Sequence, residues 1–259
     1  MMRFATLSQA AAAASFAGLL SLGACATRPP ASDMEATQEF EQTNDPLEPT
    51  NRFFYDVDDK LQRYALKPVS QVYSTVTPSP VRDSLRNFIA NLGSPVLFAD
   101  DVTQAKPRRA SDTFVRFVIN STIGIGGFFD FAKGLGIPAH DSSFAVTLAL
   151  WGIPSGPFLY LPVLGPSSVR DATGFGVDTA ANPFNYVPTG LGLHTLSQAS
   201  TGVGAVDTYA RIGPEYDRAK AGALDPYATF RSLYRQHTQA EIDAARADTR
   251  GSQPAFYKQ

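Results

Sequence analysis

One sulfur and a few isolated charges are the residues of this chain whose types and spacing could do chemistry. Cys25 is the only cysteine in the 259-residue sequence. It closes the run Leu22-Gly23-Ala24-Cys25, with Leu three residues before the sulfur and small residues between. That spacing suits a thioether to diacylglycerol, followed by cleavage that frees the Cys25 amine for a further acyl chain. A lone thiol in an exported chain has no disulfide to make, so it needs another use. Met1-Met2-Arg3 is a short positive start, and Phe4 to Leu22 is uncharged and rich in Ala and Leu. Residues 1–24 therefore read as a secretory leader, too short and too Ala/Ser-rich for a spanning helix. Each buried CH₂ of an acyl chain contributes about 0.8 kcal/mol, so several chains hold firmly where one barely does.

The isolated charges lie downstream. From Ser142 to Val206 the only charged side chains are Arg170, Asp171 and Asp178, and Ser142 to Val169 has none. Asp130 closes a preceding stretch that contains Gly124, Gly126 and Gly127. Charges kept in an apolar zone near a membrane often serve function, and the competing reading is surface pairs and helix caps. Catalysis finds little support. Gly152-Ile153-Pro154-Ser155-Gly156 lacks the spacing of a nucleophile elbow, and His140-Asp141-Ser142 are neighbours in sequence, which is no sign of a triad. No Lys-Ser/Thr follows the glycines, so close packing and turns explain them better than a phosphate loop. Three histidines and one cysteine, unclustered, suggest no metal site or cofactor. A net charge of −2 without a basic run gives no reason to expect nucleic acid.

The elements that must position these residues read as helices. Residues 25–44 look like a flexible linker from Cys25, with a typical reach of about 24 Å. Phe53, Val57, Leu61 and Tyr64 recur at helical spacing. Ser79-Pro80 is expected to cap and start a second helix, with Val81, Leu85, Phe88, Ile89 and Leu92 as its apolar stripe and Gly93 as its end. A third helix over Ala110–Asn120 is expected to place Phe114, Phe117 and Val118 inside. Asp225-Pro226 opens a late amphipathic helix. The uncharged centre holds too many breakers, among them Gly152, Pro154, Pro157, Pro162 and Pro166, for one spanning helix. It is expected to form short helices and turns, along an interface or round a cavity, with Trp151 and Tyr160 at headgroup level. Asp141 or Ser142 is expected to cap a helix. The fold class is mainly α, with a helical domain over 45–248 and a disordered tail over 249–259.

Ordered motifs then carry a resemblance. Asp45-Pro46-Leu47-Glu48-Pro49-Thr50-Asn51-Arg52 is followed by Asn87-Phe88, Asn91-Leu92, Arg116-Phe117, Asn120-Ser121-Thr122 and Asp130. Thr147-Leu148, Trp151-Gly152, Gly165-Pro166, Arg170-Asp171 and Asp225-Pro226-Tyr227 come after. In this order they resemble the VacJ/MlaA family of outer-membrane lipoproteins. The resemblance implies a ring-like bundle of amphipathic helices lying in the membrane round a central channel. It implies removal of misplaced phospholipids from the outer leaflet of a Gram-negative outer membrane, and their passage to a soluble periplasmic carrier. It also implies association with a trimeric porin and no enzymatic reaction. Ala26 fits that location, since an Asp there would resemble an inner-membrane retention signal. A membrane-bound phospholipase and a structural envelope lipoprotein are the alternatives. On this reading Cys25 is the lipidation site. Asp45, Pro46, Leu47, Glu48, Asn51 and Arg52 fix the start of the first helix, with Asn51 as a cap and Asp45, Glu48 and Arg52 in a local ion-pair network. Asp130, Arg170, Asp171 and Asp178 are candidates for the headgroup path.

Overall fold

The computed structural model describes residues 30, 32–34, 37, 40, 43–186 and 193–247. The leader, Cys25 and the tail over 249–259 lie outside the described residues. Within the expected linker, Met34, Thr37, Phe40 and Thr43 are helical.

The first long helix, α1 (Glu48–Leu61), has Pro49 in its first turn, Glu48 at its positive end and Lys60 at its negative end. A π-helical turn, Gln62–Leu66, joins it to α2 (Lys67–Val76). Then follow α3 (Ser79–Thr103), α4 (Pro107–Thr122) and a single turn, α5 (Phe131–Gly134). The uncharged centre folds as α6 (Phe144–Leu150), β1 (Phe158–Leu161), β2 (Gly165–Ser168) and α7 (Val169–Ala181). Two long helices complete the described chain, α8 (Leu193–Gly222) and α9 (Pro226–Ala247). No helix among the described residues is long and apolar enough to cross a membrane.

Helix α3 packs on α4, α6 on α7, α8 on α2 and α3, and α9 on α6. The hairpin is antiparallel, with Phe158 opposite Ser168 and Leu161 opposite Gly165. Its inner face supplies Phe158 and Tyr160, which pack with Tyr55 of α1 and Tyr227 of α9 as a buried aromatic cluster. Tyr55 meets Tyr160 and Tyr227 edge to face at 5.6 and 5.9 Å between centroids, a geometry that the ring quadrupoles favour.

Polarity is otherwise turned round. Phe53, Val57, Leu61 and Tyr64 are exposed, Phe53 by 60%, whereas Asn51, Tyr55 and Asp58 form the buried stripe of α1. On α4, Phe114 and Val118 are exposed; Arg109, Thr113 and Asn120 are buried and Arg116 is half-buried. The helix periodicity is as expected, but the expectation that Phe114 and Val118 point inside is reversed. Side chains one turn apart on α4 therefore form a polar inner stripe and an apolar outer one.

Other local expectations are also corrected. Pro78, not Ser79, precedes α3 as its cap residue, and α3 runs through Gly93 and Pro95 to Thr103. Ser143 stands at the N-cap of α6, so neither Asp141 nor Ser142 does. The α6 Phe144 amide is held by the Asp178 carboxylate instead, at 3.2 Å. Trp151 is exposed, but Tyr160 is buried and donates its hydroxyl to Asp58 at 2.9 Å. The glycine-rich stretch serves close approach: a Cβ on Gly124 would stand 2.3 Å from the Phe129 carbonyl oxygen. Gly127, at φ +99°, touches Asn91 in the same way.

Candidate functional site

The inner polar stripes of α3 and α4, residues 139–142 and Asp178 of α7 enclose a cavity of about 370 Å³. One wall carries a fixed charge pair. Arg116 meets Asp130 at 2.8 Å and donates a second hydrogen bond to the Ile137 carbonyl at 2.6 Å. Asn120 donates to the other Asp130 oxygen at 3.0 Å, as does the Lys133 amide at 3.1 Å, so Asp130 also caps α5. Burial works against the Asp130 charge. Arg116, Asn120 and the Lys133 amide outweigh it and hold the carboxyl below the usual carboxylate range.

The other charged lining residues are acidic. Asp100 is buried and lines the cavity with Asp141 and Asp178. Burial, reinforced by the charges of Asp178 and Asp101, pushes the Asp100 carboxyl up to about 7. Burial also raises Asp178, against the hydrogen bond from the Phe144 amide, and raises Asp141. Behind this wall lies a polar core in place of an apolar one. Asp101, wholly buried, accepts from Thr113 at 2.7 Å and pairs with His140 Nε2 at 2.7 Å. Gln104 donates to Ser142 at 2.7 Å and to Thr147 at 3.0 Å.

The expected path residues divide between two places. Asp130 and Asp178 reach the cavity; Arg170 and Asp171 do not line it but, with Asp178, border a second cavity of about 240 Å³. Arg170 is buried at the start of α7 and meets Asp171 at 3.2 Å. Asp171 accepts the Tyr234 hydroxyl of α9, and its amide donates to Ser168 at 3.1 Å. Asn51 does not cap α1, because it lies inside the helix. It donates to Asp45 at 2.7 Å and to the Phe158 carbonyl at 3.1 Å, and accepts the Tyr160 amide at 2.9 Å, so it stitches the hairpin to α1. The ion pairs of the Asp45–Arg52 motif are longer in reach than expected. Arg52 binds Glu48 at 2.7 Å and Asp225 at 2.6 Å, while Asp45 binds Arg231 at 2.7 Å. Pro46 and Leu47 lead the chain into the turn before α1, beside these pairs. Sequence reasoning missed Asp100, Asp101 and Arg116 as lining or supporting residues. The available signal was the polar recurrence Arg109, Thr113, Arg116 and Asn120 opposite an apolar stripe.

With this geometry in view, the likenesses to known proteins agree. The chain is 34% identical over 215 residues to the intermembrane phospholipid transport system lipoprotein MlaA of Haemophilus influenzae, covering 80% of this chain and 82% of that protein. It is 30% identical over 200 residues to the protein of the same name from Escherichia coli strain K12, covering 74% and 76%. A solved structure from work on the structural basis for maintenance of bacterial outer membrane lipid asymmetry superposes with a TM-score of 0.68 at 28% identity. It covers 76% of this chain and 98% of that one. The family model for the MlaA lipoprotein matches residues 43–241, and the chain therefore belongs to the MlaA lipoprotein family.

Proposed function

We propose that this protein is an outer-membrane lipoprotein that removes misplaced phospholipid from the outer leaflet and passes it, intact, toward a soluble periplasmic carrier. The observation that carries this reading is the reversed polarity. Phe53, Phe114, Val118 and Phe129 face outward, while Arg116, Asp130, Asp100 and Asp178 face a cavity. An amphiphile crossing a leaflet needs a polar route for its headgroup, and the protein round that route needs an apolar outside. Each outward side chain of this size gains about 1.5–3 kcal/mol on leaving water. Exposed apolar area on this scale marks a surface that lipid or protein covers. The apolar hairpin tip, Val163 and Leu164, adds to it. Cys25 is the acyl anchor in this account. The chain's membership of the MlaA family supports the phospholipid, and the resemblance supports a trimeric porin and the carrier as partners.

Within this reading Asp130 and Asp178 are headgroup-path residues. Asp171 instead ties α7 to Tyr234 of α9, with Arg170 paired to it, and the Asp45–Arg52 motif holds α1 to the hairpin and α9. Full-length lipoprotein reconstituted in vesicles with a labelled phospholipid and a lipid-accepting carrier tests the function. Transfer of intact lipid supports it. Release of free fatty acid would instead mark a phospholipase, and absence of transfer a structural lipoprotein.

A further inference from the structure

We infer that the cavity selects phospholipids whose headgroup carries a primary ammonium, with Asp100, Asp178 and Asn91 as its acceptors. The inference rests on the transport reading and names the substrate class of that same site.

Charge on the cavity wall is unbalanced. Arg116 is its one Lys or Arg among the described residues, and Asp130 and the Ile137 carbonyl already hold it. Asp100, Asp141 and Asp178 remain. No described cation pairs with Asp100 or Asp178; half-buried Asp178 accepts the Phe144 amide, whereas Asp100 is buried. A buried carboxylate without a partner is costly, and structures rarely leave one so without a use.

A second observation is independent of the acids. Asn91 is 7% exposed and lines the same cavity. Its amide nitrogen donates to Ser121 at 2.9 Å, but its Oδ1 has no hydrogen-bond partner. The cavity wall thus holds two carboxylates and, in Asn91, a buried amide oxygen with no partner, all acceptors. A primary ammonium offers three N–H donors, and a quaternary one offers none. Among the described residues no three acidic or histidine side chains converge as metal ligands do. Acceptors spread over a wall suit an ammonium on a short flexible arm. A headgroup with net negative charge meets only further negative charge at Asp100 and Asp178.

The groups facing Asp100 fix its pH dependence. They are Asp178 from α7, Asp101 beside it, Arg116 and Asp130 from α4 and its following turn, and His140 and Asp141 from the 139–142 segment. Acidification protonates Asp100, and Asp178 and Asp141, raised in the same sense, follow it, while Asp130 is lowered.

Native mass spectrometry of the purified full-length lipoprotein tests this, after loading from micelles with equal phosphatidylethanolamine, phosphatidylcholine and phosphatidylglycerol. We expect phosphatidylethanolamine to exceed phosphatidylglycerol in the bound fraction by about tenfold near pH 8, with phosphatidylcholine between. Asp100→Asn and Asp178→Asn each lower that ratio, and together they bring it near unity. Lowering the pH of the unaltered protein to about 5.5 also lowers it, a result that needs no variant to fold. Excess phosphoethanolamine leaves the bound lipid unchanged if the ligand is a lipid headgroup; displacement of lipid by this tail-less amine overturns the assignment. Equal binding of the three lipids by the wild type, or an unchanged ratio in the double variant, overturns the inference and leaves the transport reading standing. A wild type that binds no phospholipid overturns both.

Discussion

Asp45 and Arg231 stand 186 residues apart in sequence and meet at 2.7 Å. Asp45 is almost fully buried, and the Tyr227 hydroxyl also donates to it. The pair ties the chain before α1 to α9, so the first and last parts of the described body close on one carboxylate. Removing one member of such a pair strands the other. We expect Arg231→Met to lower stability by about 3–5 kcal/mol. Asp45→Asn combined with Arg231→Met should cost less than Arg231→Met alone. Thermal unfolding in detergent checks this; equal losses in the single and double variants would argue against the pair.

The glycines give a sharper contrast. A Cβ at Gly124 or Gly127 collides with backbone or with Asn91, while one at Gly134 meets nothing within 4 Å. Gly124→Ala and Gly127→Ala should each cost about 2 kcal/mol or more by overpacking. Gly134→Ala, in a helical turn, should be neutral or gain about 0.5–1 kcal/mol. Midpoints of denaturation for the three variants, compared side by side, decide it.

The order of helices was legible in the sequence, but the direction of their faces was not. Phe53, Val57 and Leu61 did mark α1, with Tyr64 in the π-helical turn after it, and the breakers between Gly152 and Pro166 did mark a broken segment. The reversal at Phe114 and Val118 arose because periodicity gives the angle between two faces, not which of them meets solvent. For a soluble domain the apolar face goes inward by default. Here Arg109, Thr113 and Asn120 occupy that place. Asp100 was hidden for a different reason. It sits in a helix with ordinary composition, and burial in the folded body, reinforced by Asp178 of α7 and by Asp101, is what raises it. Asp130 stood out because no other charge lies between Arg116 and it.

Acid should stabilise the cavity wall. The folded Asp100 carboxyl titrates at about 7, above the usual carboxylate value of 3.8. Between those values the folded state binds more protons than the unfolded one, so stability rises as pH falls through this window. Above about 7 the penalty is complete and constant. Asp178 and Asp141 are raised too and act in the same sense. Asp130 is lowered, and its contribution is lost at the acid end. Asp100→Asn should therefore stabilise the protein near pH 8 by on the order of 2 kcal/mol and flatten the profile above about pH 5. Unfolding free energies across that range test the sign; destabilisation by Asp100→Asn near pH 8 would show that its charge has a partner.

The outward apolar face should hold lipid without the acyl chains. A body carrying Cys25→Ser, secreted behind a cleavable leader, is expected to float with phospholipid vesicles. Phe53→Gln, Phe114→Gln and Val118→Gln together should weaken that binding by about a hundredfold or more, since each loses about 1 kcal/mol or more of apolar transfer. Unchanged flotation of the triple variant would place the membrane contact elsewhere.

The most direct measurement is the amount of phospholipid exposed in the outer leaflet of cells with and without this protein. Deletion should raise it, and the wild-type gene should restore it. Asp130→Asn should restore it only in part, at normal protein level. An outer leaflet unchanged by deletion would contradict the account of this chain as a phospholipid-removing lipoprotein.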